Sequence, residues 1–110
     1  MPTRKLDKAE WEAYFNRVSE GLEDAEAEIE VMSLALGDQI EAEWLPLYGV
    51  TYDRKDDLVE VALENLDHMI AKPREIYVDE QGDMLVNIEV VDAGGVRQIV
   101  RFREKLALAK

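Results

Sequence analysis

His68 is the single histidine of the chain, and histidine changes charge nearest to physiological pH. It follows Asp67 directly, and Arg74 lies six positions on. A carboxylate beside an imidazole can make a general base, and a nearby guanidinium can hold a small anion. Asp67, His68 and Arg74 are therefore the candidate ligand-binding residues. A plainer reading stands beside this one. A lone histidine next to Met69 and Ile70 is commonly a packed residue with one ring nitrogen satisfied by the backbone.

Carboxylates are abundant, which weakens them as a signal. Glu41 and Glu43, or Glu26 and Glu28, would stand about 7 Å apart on one strand face, within the range of an inverting glycosidase pair. Such a pair also needs a cleft and one raised pKa, and a uniformly acidic strand face supplies neither. Asp53, Asp56 and Asp57 lack the ligand spacing of a calcium loop and read as a solvated turn. No phosphate-binding glycine loop or nucleophile elbow occurs, and one histidine with no cysteine cannot make a zinc site. No catalytic residue, metal or cofactor is expected.

The elements that must position these residues fit one domain over 1–110, with 47% hydrophobic residues. Asp7 and Glu10 have the spacing of a capping box, and Leu6 with Trp11 that of a hydrophobic staple. Trp11, Tyr14, Phe15, Val18 and Leu22 share one helical face. A helix is predicted from about residue 7 to 20, with Gly21 as a left-handed stop and Lys8, Glu12, Asn16 and Arg17 in water.

Beyond Gly21 the period changes to two. Ala25, Ala27, Ile29 and Val31 alternate with acids; Gly37-Asp38 marks a turn; Ile40, Ala42 and Trp44 alternate again. Pro46 predicts a bulge or edge, and Gly49 a bend. Val59, Val61 and Leu63 form a further strand. Asn65 to Lys72 breaks the pattern and reads as irregular, with Asn65 capping a single turn. Ile76–Val78, Val86–Val90 and Val96–Phe102 complete the set, joined by turns at Gly82 and Gly94-Gly95. The expected fold is α+β: an N-terminal helix packed on a curved antiparallel meander sheet of about six strands, with a half-barrel as its extreme form.

Charge adds a pairing constraint. Glu26, Glu28 and Glu30 line one strand, and Arg97, Arg101 and Arg103 line the last. Facing opposite charges stabilise a sheet by roughly 0.2–1 kcal/mol per pair, and facing like charges destabilise it. The arginine strand is therefore predicted beside a glutamate strand.

These pieces resemble a family of small bacterial proteins known only as a domain of unknown function. The resemblance rests on Pro2-Thr-Arg-Lys-Leu leading to Trp11, Gly37-Asp-Gln with Trp44-Leu45, Asp56-Asp57, Leu66-Asp67-His68-Met69-Ile70, Pro73-Arg74-Glu75-Ile76 and Arg97-Gln98-Ile99-Val100. It covers nearly the whole chain and implies one domain of this length. Asp67, His68 and Pro73 fall in its most recognisable segment, and it implies no catalytic role.

The net charge of −12 repels phosphate backbones and anionic lipid, so neither nucleic acid nor membrane is an expected partner, while a basic protein is. Missing cysteines and the lack of an N-terminal apolar segment point to the cytoplasm. Met32, Leu34, Leu36, Leu45, Leu47, Tyr48, Met84, Leu85 and Val91 exceed what one helix covers, so either the sheet closes on itself or another subunit covers a second face, and a homodimer is a further expectation. The function expected is a non-enzymatic interaction or structural domain binding a protein partner or itself. The alternative is a small-molecule binder or small hydrolytic-type enzyme using His68 with Asp67.

Overall fold

The computed structural model describes residues 3–35 and 37–108; Leu36, counted above among the surplus apolar residues, lies outside them. Leu6 begins the packing. Its N–H donates to the Ile76 carbonyl at 2.8 Å, its side chain is buried, and its own carbonyl accepts the Trp11 indole N–H at 3.4 Å. A 3-10 turn over Lys8–Glu10 then leads into helix α1, Trp11–Glu20. Trp11, Tyr14, Phe15 and Val18 are buried as their spacing demands, and Lys8, Glu12, Asn16 and Arg17 are exposed. Trp11 meets Tyr52 edge to face, with ring centroids 5.1 Å apart.

Two terminal signals act differently from expectation. The Asp7 side chain makes no capping bond; the Asp7 backbone carbonyl accepts the Glu10 N–H instead. Gly21 is not left-handed, at φ −103°. It is needed for close approach, because a Cβ there would lie 2.6 Å from the Ala107 carbonyl oxygen.

Eight strands follow or flank the helix: β1 Thr3–Lys5, β2 Glu26–Ser33, β3 Gly37–Asp53, β4 Leu58–Leu63, β5 Leu66–Ala71, β6 Pro73–Gln81, β7 Met84–Asp92 and β8 Arg97–Ala107. They form one antiparallel sheet in the order β1-β6-β7-β8-β2-β3-β4-β5, not closed by a ladder. The count is eight rather than six, for two reasons. β1 is three exposed polar residues held to β6 by its ladder and by the ion pairs Arg4–Glu80 and Lys5–Glu75, so it carries no hydrophobic alternation. β5 occupies the segment expected to be irregular. Leu66, His68 and Ile70 face inward there, and the histidine at an inward position hid the period. Asn65 caps no turn of helix; at φ 61° it turns the β4–β5 hairpin.

Continuous rows of side chains build the core. Val78, Ile88, Val100, Ile29 and Ala42 are cross-strand neighbours in succession, and all are buried. The opposite face carries Tyr77, Glu89, Ile99, Glu30 and Ile40 in the same way. The sheet must curve strongly. In a flat sheet β5 and β6 would lie six spacings apart, roughly 29 Å. Only Lys72 separates them in sequence, so their ends are at most about 7 Å apart. Lys72 makes this corner at φ 54°, donating to the Asp57 carbonyl and accepting from Ala93 N–H, both at 2.9 Å.

β3 is the strand on which the sheet turns. Gly37–Pro46 pairs with β2, and Leu47–Asp53 pairs with β4 on the other side. The change of partner falls at Pro46, which has no N–H to give a ladder, and beside Trp44, which is held at φ 50°. The irregularity expected at Pro46 falls on either side of it, between Ala42 and Leu45 and between Leu47 and Gly49, while Pro46 itself pairs in register with Glu26. Trp44 departs from the simple alternation with Ala42, because the irregular register resets which face it occupies.

Candidate interaction surface

The sequence-nominated residues do not assemble. Neighbours on a strand point to opposite faces, so Asp67 is exposed on the outside while His68 turns inward. Arg74 lies exposed on β6. His68 Nε2 instead donates to Gln98 Oε1 on β8, four strands away in the sheet order. In a flat sheet that separation is roughly 19 Å, so this polar pair spans the fold of the sheet. Gln98 is the one buried polar residue among those described, 8% exposed. It was legible in principle: Gln98 sits in phase with Val96, Val100 and Phe102, a polar side chain on an apolar register.

The arginine strand does lie beside the glutamate strand. β8 pairs with β2, placing Arg101 opposite Glu28. Arg101 Nη1 is 2.5 Å from Glu30 Oε1 and 3.4 Å from Glu28 Oε1, and Arg103 Nη1 is 2.8 Å from Glu26 Oε1. Arg97 turns to the other neighbour, 2.6 Å from Glu89. The Arg101 guanidinium holds the Glu30 carboxyl below its ordinary value. β8 thus spends its positive charge on β2 and β7, and leaves the next strand out without compensation.

Hollows mark the surface of the described residues, among them one of about 490 Å³ beside Lys8, Glu12, Tyr52, Arg54 and Asp57. A second, of about 560 Å³, opens between Gly21 and the end of β8, with charges of both signs in its wall (Glu23, Asp24, Arg103, Lys105). Another of about 290 Å³ lies on the outer face over Tyr77, Asp79, Asn87 and Arg101. The Asp79 Oδ1 atom is buried without a hydrogen-bond partner among the described residues. Within those residues no group of three or more His, Cys, Asp or Glu is placed to hold a metal ion, and no helix is long and apolar enough to cross a membrane.

A different kind of opening runs along β3. Its first half bonds to β2 on one side, and β4 does not reach the other side until Leu47. From Gly37 to Glu41 every residue is exposed, on both faces. Asp38, Glu41 and Glu43 stand along this free edge; Ile40 is 51% exposed and Leu34, at the hairpin turn, is fully so. Tyr48 and Met69 are the other exposed large apolar residues, and neither is a cross-strand neighbour of Ile40 or of the other. Sequence reasoning placed Ile40 in the core by alternation. Its register partner, Glu30, shows that it lies on the outer face.

Known proteins set this geometry in context. The model described as a family of unknown function, DUF5335, matches residues 2–110. An uncharacterized protein of Aquifex aeolicus (strain VF5) is 42% identical over 109 residues, covering 98% of each chain. No solved structure matches. A match over nearly the full length, with a relative this similar, means that the chain belongs to the family of unknown function DUF5335.

Proposed function

We propose that this domain is a non-enzymatic interaction module, cytoplasmic, that engages a basic protein partner through the acid-rich side formed by the β2–β3 hairpin. One observation carries the reading. No basic residue lies between Arg17 and Arg54 while ten acidic ones do; of those ten, Glu26, Glu28 and Glu30 on β2 pair with Arg101 and Arg103 of β8, while Arg97 turns to Glu89 on β7. Asp38, Glu41 and Glu43 remain exposed and unmatched by a facing basic strand. Such a surface raises the encounter rate with cationic partners and discriminates against acidic ones.

A second copy of the chain is the less suitable occupant, because it would bring the same negative charge to the same place. The test is fluorescence anisotropy with a labelled oligolysine peptide, against wild type and a variant carrying Asp38→Lys, Glu41→Lys and Glu43→Lys. Affinity is expected to fall by about tenfold or more in the variant, and steeply with salt. Equal binding by both proteins would remove the reading.

A further inference from the structure

Resting on that proposal, the geometry points to the manner of binding: an extended basic segment adds as a strand to the free edge of β3 at Asp38–Glu41. An unpaired strand edge offers a row of N–H and C=O groups, and a peptide that completes the ladder gains main-chain hydrogen bonds. The regular part of the template is short. The pairs Ser33–Gly37, Met32–Asp38, Val31–Gln39 and Glu30–Ile40 run in register, and the ladder becomes irregular beyond Ile40.

Edges of this kind are blunted by charge, proline, bulges or a covering element. Here the acids share the edge with Ile40, which is exposed beside Glu30 on the outer face, and with Leu34 at the turn. A purely protective edge has no use for an exposed isoleucine between two carboxylates. Side chains two apart on an added strand share a face. A residue opposite Asp38 would therefore be basic, and the one opposite Ile40 apolar. A further basic residue would reach Glu41. A copy of β3 itself would set acids against acids, which opposes pairing.

The experiment uses the full chain, ¹⁵N-labelled, with a blocked synthetic peptide repeating Lys-Val-Thr-Lys. On saturation those amides of Asp38–Glu41 that point away from β2 are expected to gain protection from hydrogen exchange. The same peptide is then N-methylated at alternate residues, in each of the two phases. Methylation in the phase that faces β3 is expected to weaken binding by about tenfold or more, and in the other phase to change it little. If both methylated peptides bind like the unmodified one, the segment is held by charge without a ladder; strand addition is lost and the acidic-surface reading stands. If the unmodified peptide shows no saturable binding at low salt, both are lost. Self-association of the chain that Ile40→Lys abolishes would make a second copy the occupant and overturn the inference.

Discussion

The two halves of β3 meet the same difficulty and resolve it in opposite ways. Each half has a strand partner on one side only: β2 for Gly37–Pro46, β4 for Leu47–Asp53. In the second half the helix covers the exposed side. Ser19 Oγ accepts the Val50 N–H at 3.0 Å and donates to the Val50 carbonyl at 2.8 Å, so one hydroxyl stands in for a strand. Leu47, Val50 and Tyr52 are buried beneath it. In the first half nothing in the described chain takes that place, and the exposed side carries carboxylates and Ile40. A fold whose only need were stability would cover both.

The largest expected effects lie in the covered half. Leu47→Ala removes a side chain that is 2% exposed and should cost about 2–5 kcal/mol in chemical denaturation. Ile40→Ala, on the same strand, should stay within about 0.5 kcal/mol. A comparable loss at both positions would mean that the two halves are equally packed, and the contrast would fail.

Next in size are the polar links that hold the curved sheet and its cover. Ser19→Ala strands the Val50 N–H and carbonyl, at a cost of about 1–3 kcal/mol. His68→Ala leaves the buried Gln98 without its ring partner and should cost a similar amount, about 1–3 kcal/mol. The double variant His68→Leu with Gln98→Leu should recover much of that loss, since an apolar pair leaves no polar group unpaired. If His68→Ala proves neutral by denaturation, the pair is not what ties β5 to β8.

Alkaline pH should act on the covered half and on the helix–β6 contact, where burial and then the bond to Glu80 also raise the Tyr14 hydroxyl, and spare the open half. Burial, then the hydrogen bond to Asp57 at 2.8 Å, pushes the Tyr52 hydroxyl up to about 12 from an ordinary 10. The folded state therefore holds this proton more tightly than the unfolded chain. Its contribution is complete below about 10 and is lost as pH rises through about 12. Tyr52→Phe should flatten that part of the stability profile, and an unchanged alkaline profile would assign the loss to other groups.

Much of this contrast was hidden in the sequence, for physical reasons. The helix face and the alternation of Val59, Val61 and Leu63 are set by burial against one core, and a periodic pattern reports that directly. The pairing of β8 with β2 was legible from charge, because glutamates and arginines on facing strands must be satisfied locally. The change of partner within β3 was not. Irregular register at Glu41 and around Trp44 shifts the phase by residues that look like ordinary strand, so Ile40 reads as core and lies outside. β5 was lost because its inward polar residue is satisfied by Gln98 thirty positions away, a pairing that no local spacing encodes. The candidate site shared this fate: strand geometry sends Asp67 and His68 to opposite faces whatever their chemistry.

The smallest effect belongs to the open half. Arg101 first, at 2.5 Å, holds Glu30 below its ordinary value of 4.5, and the Asp38 side chain also reaches Glu30. A depressed carboxylate contributes stability that is present above 4.5 and lost as pH falls through its lowered value. The pair is solvated, so the change in overall stability should be slight, and it should be felt in the hairpin rather than in the core. Carboxyl ¹³C titration of Glu30 checks this: Arg101→Gln should return the carboxyl towards 4.5 and leave the alkaline limb set by Tyr52 untouched. Were the Glu30 titration to stay where it was, the charge of β8 would not be held on β2, and the argument that Asp38, Glu41 and Glu43 are left without a basic partner would lose its foundation.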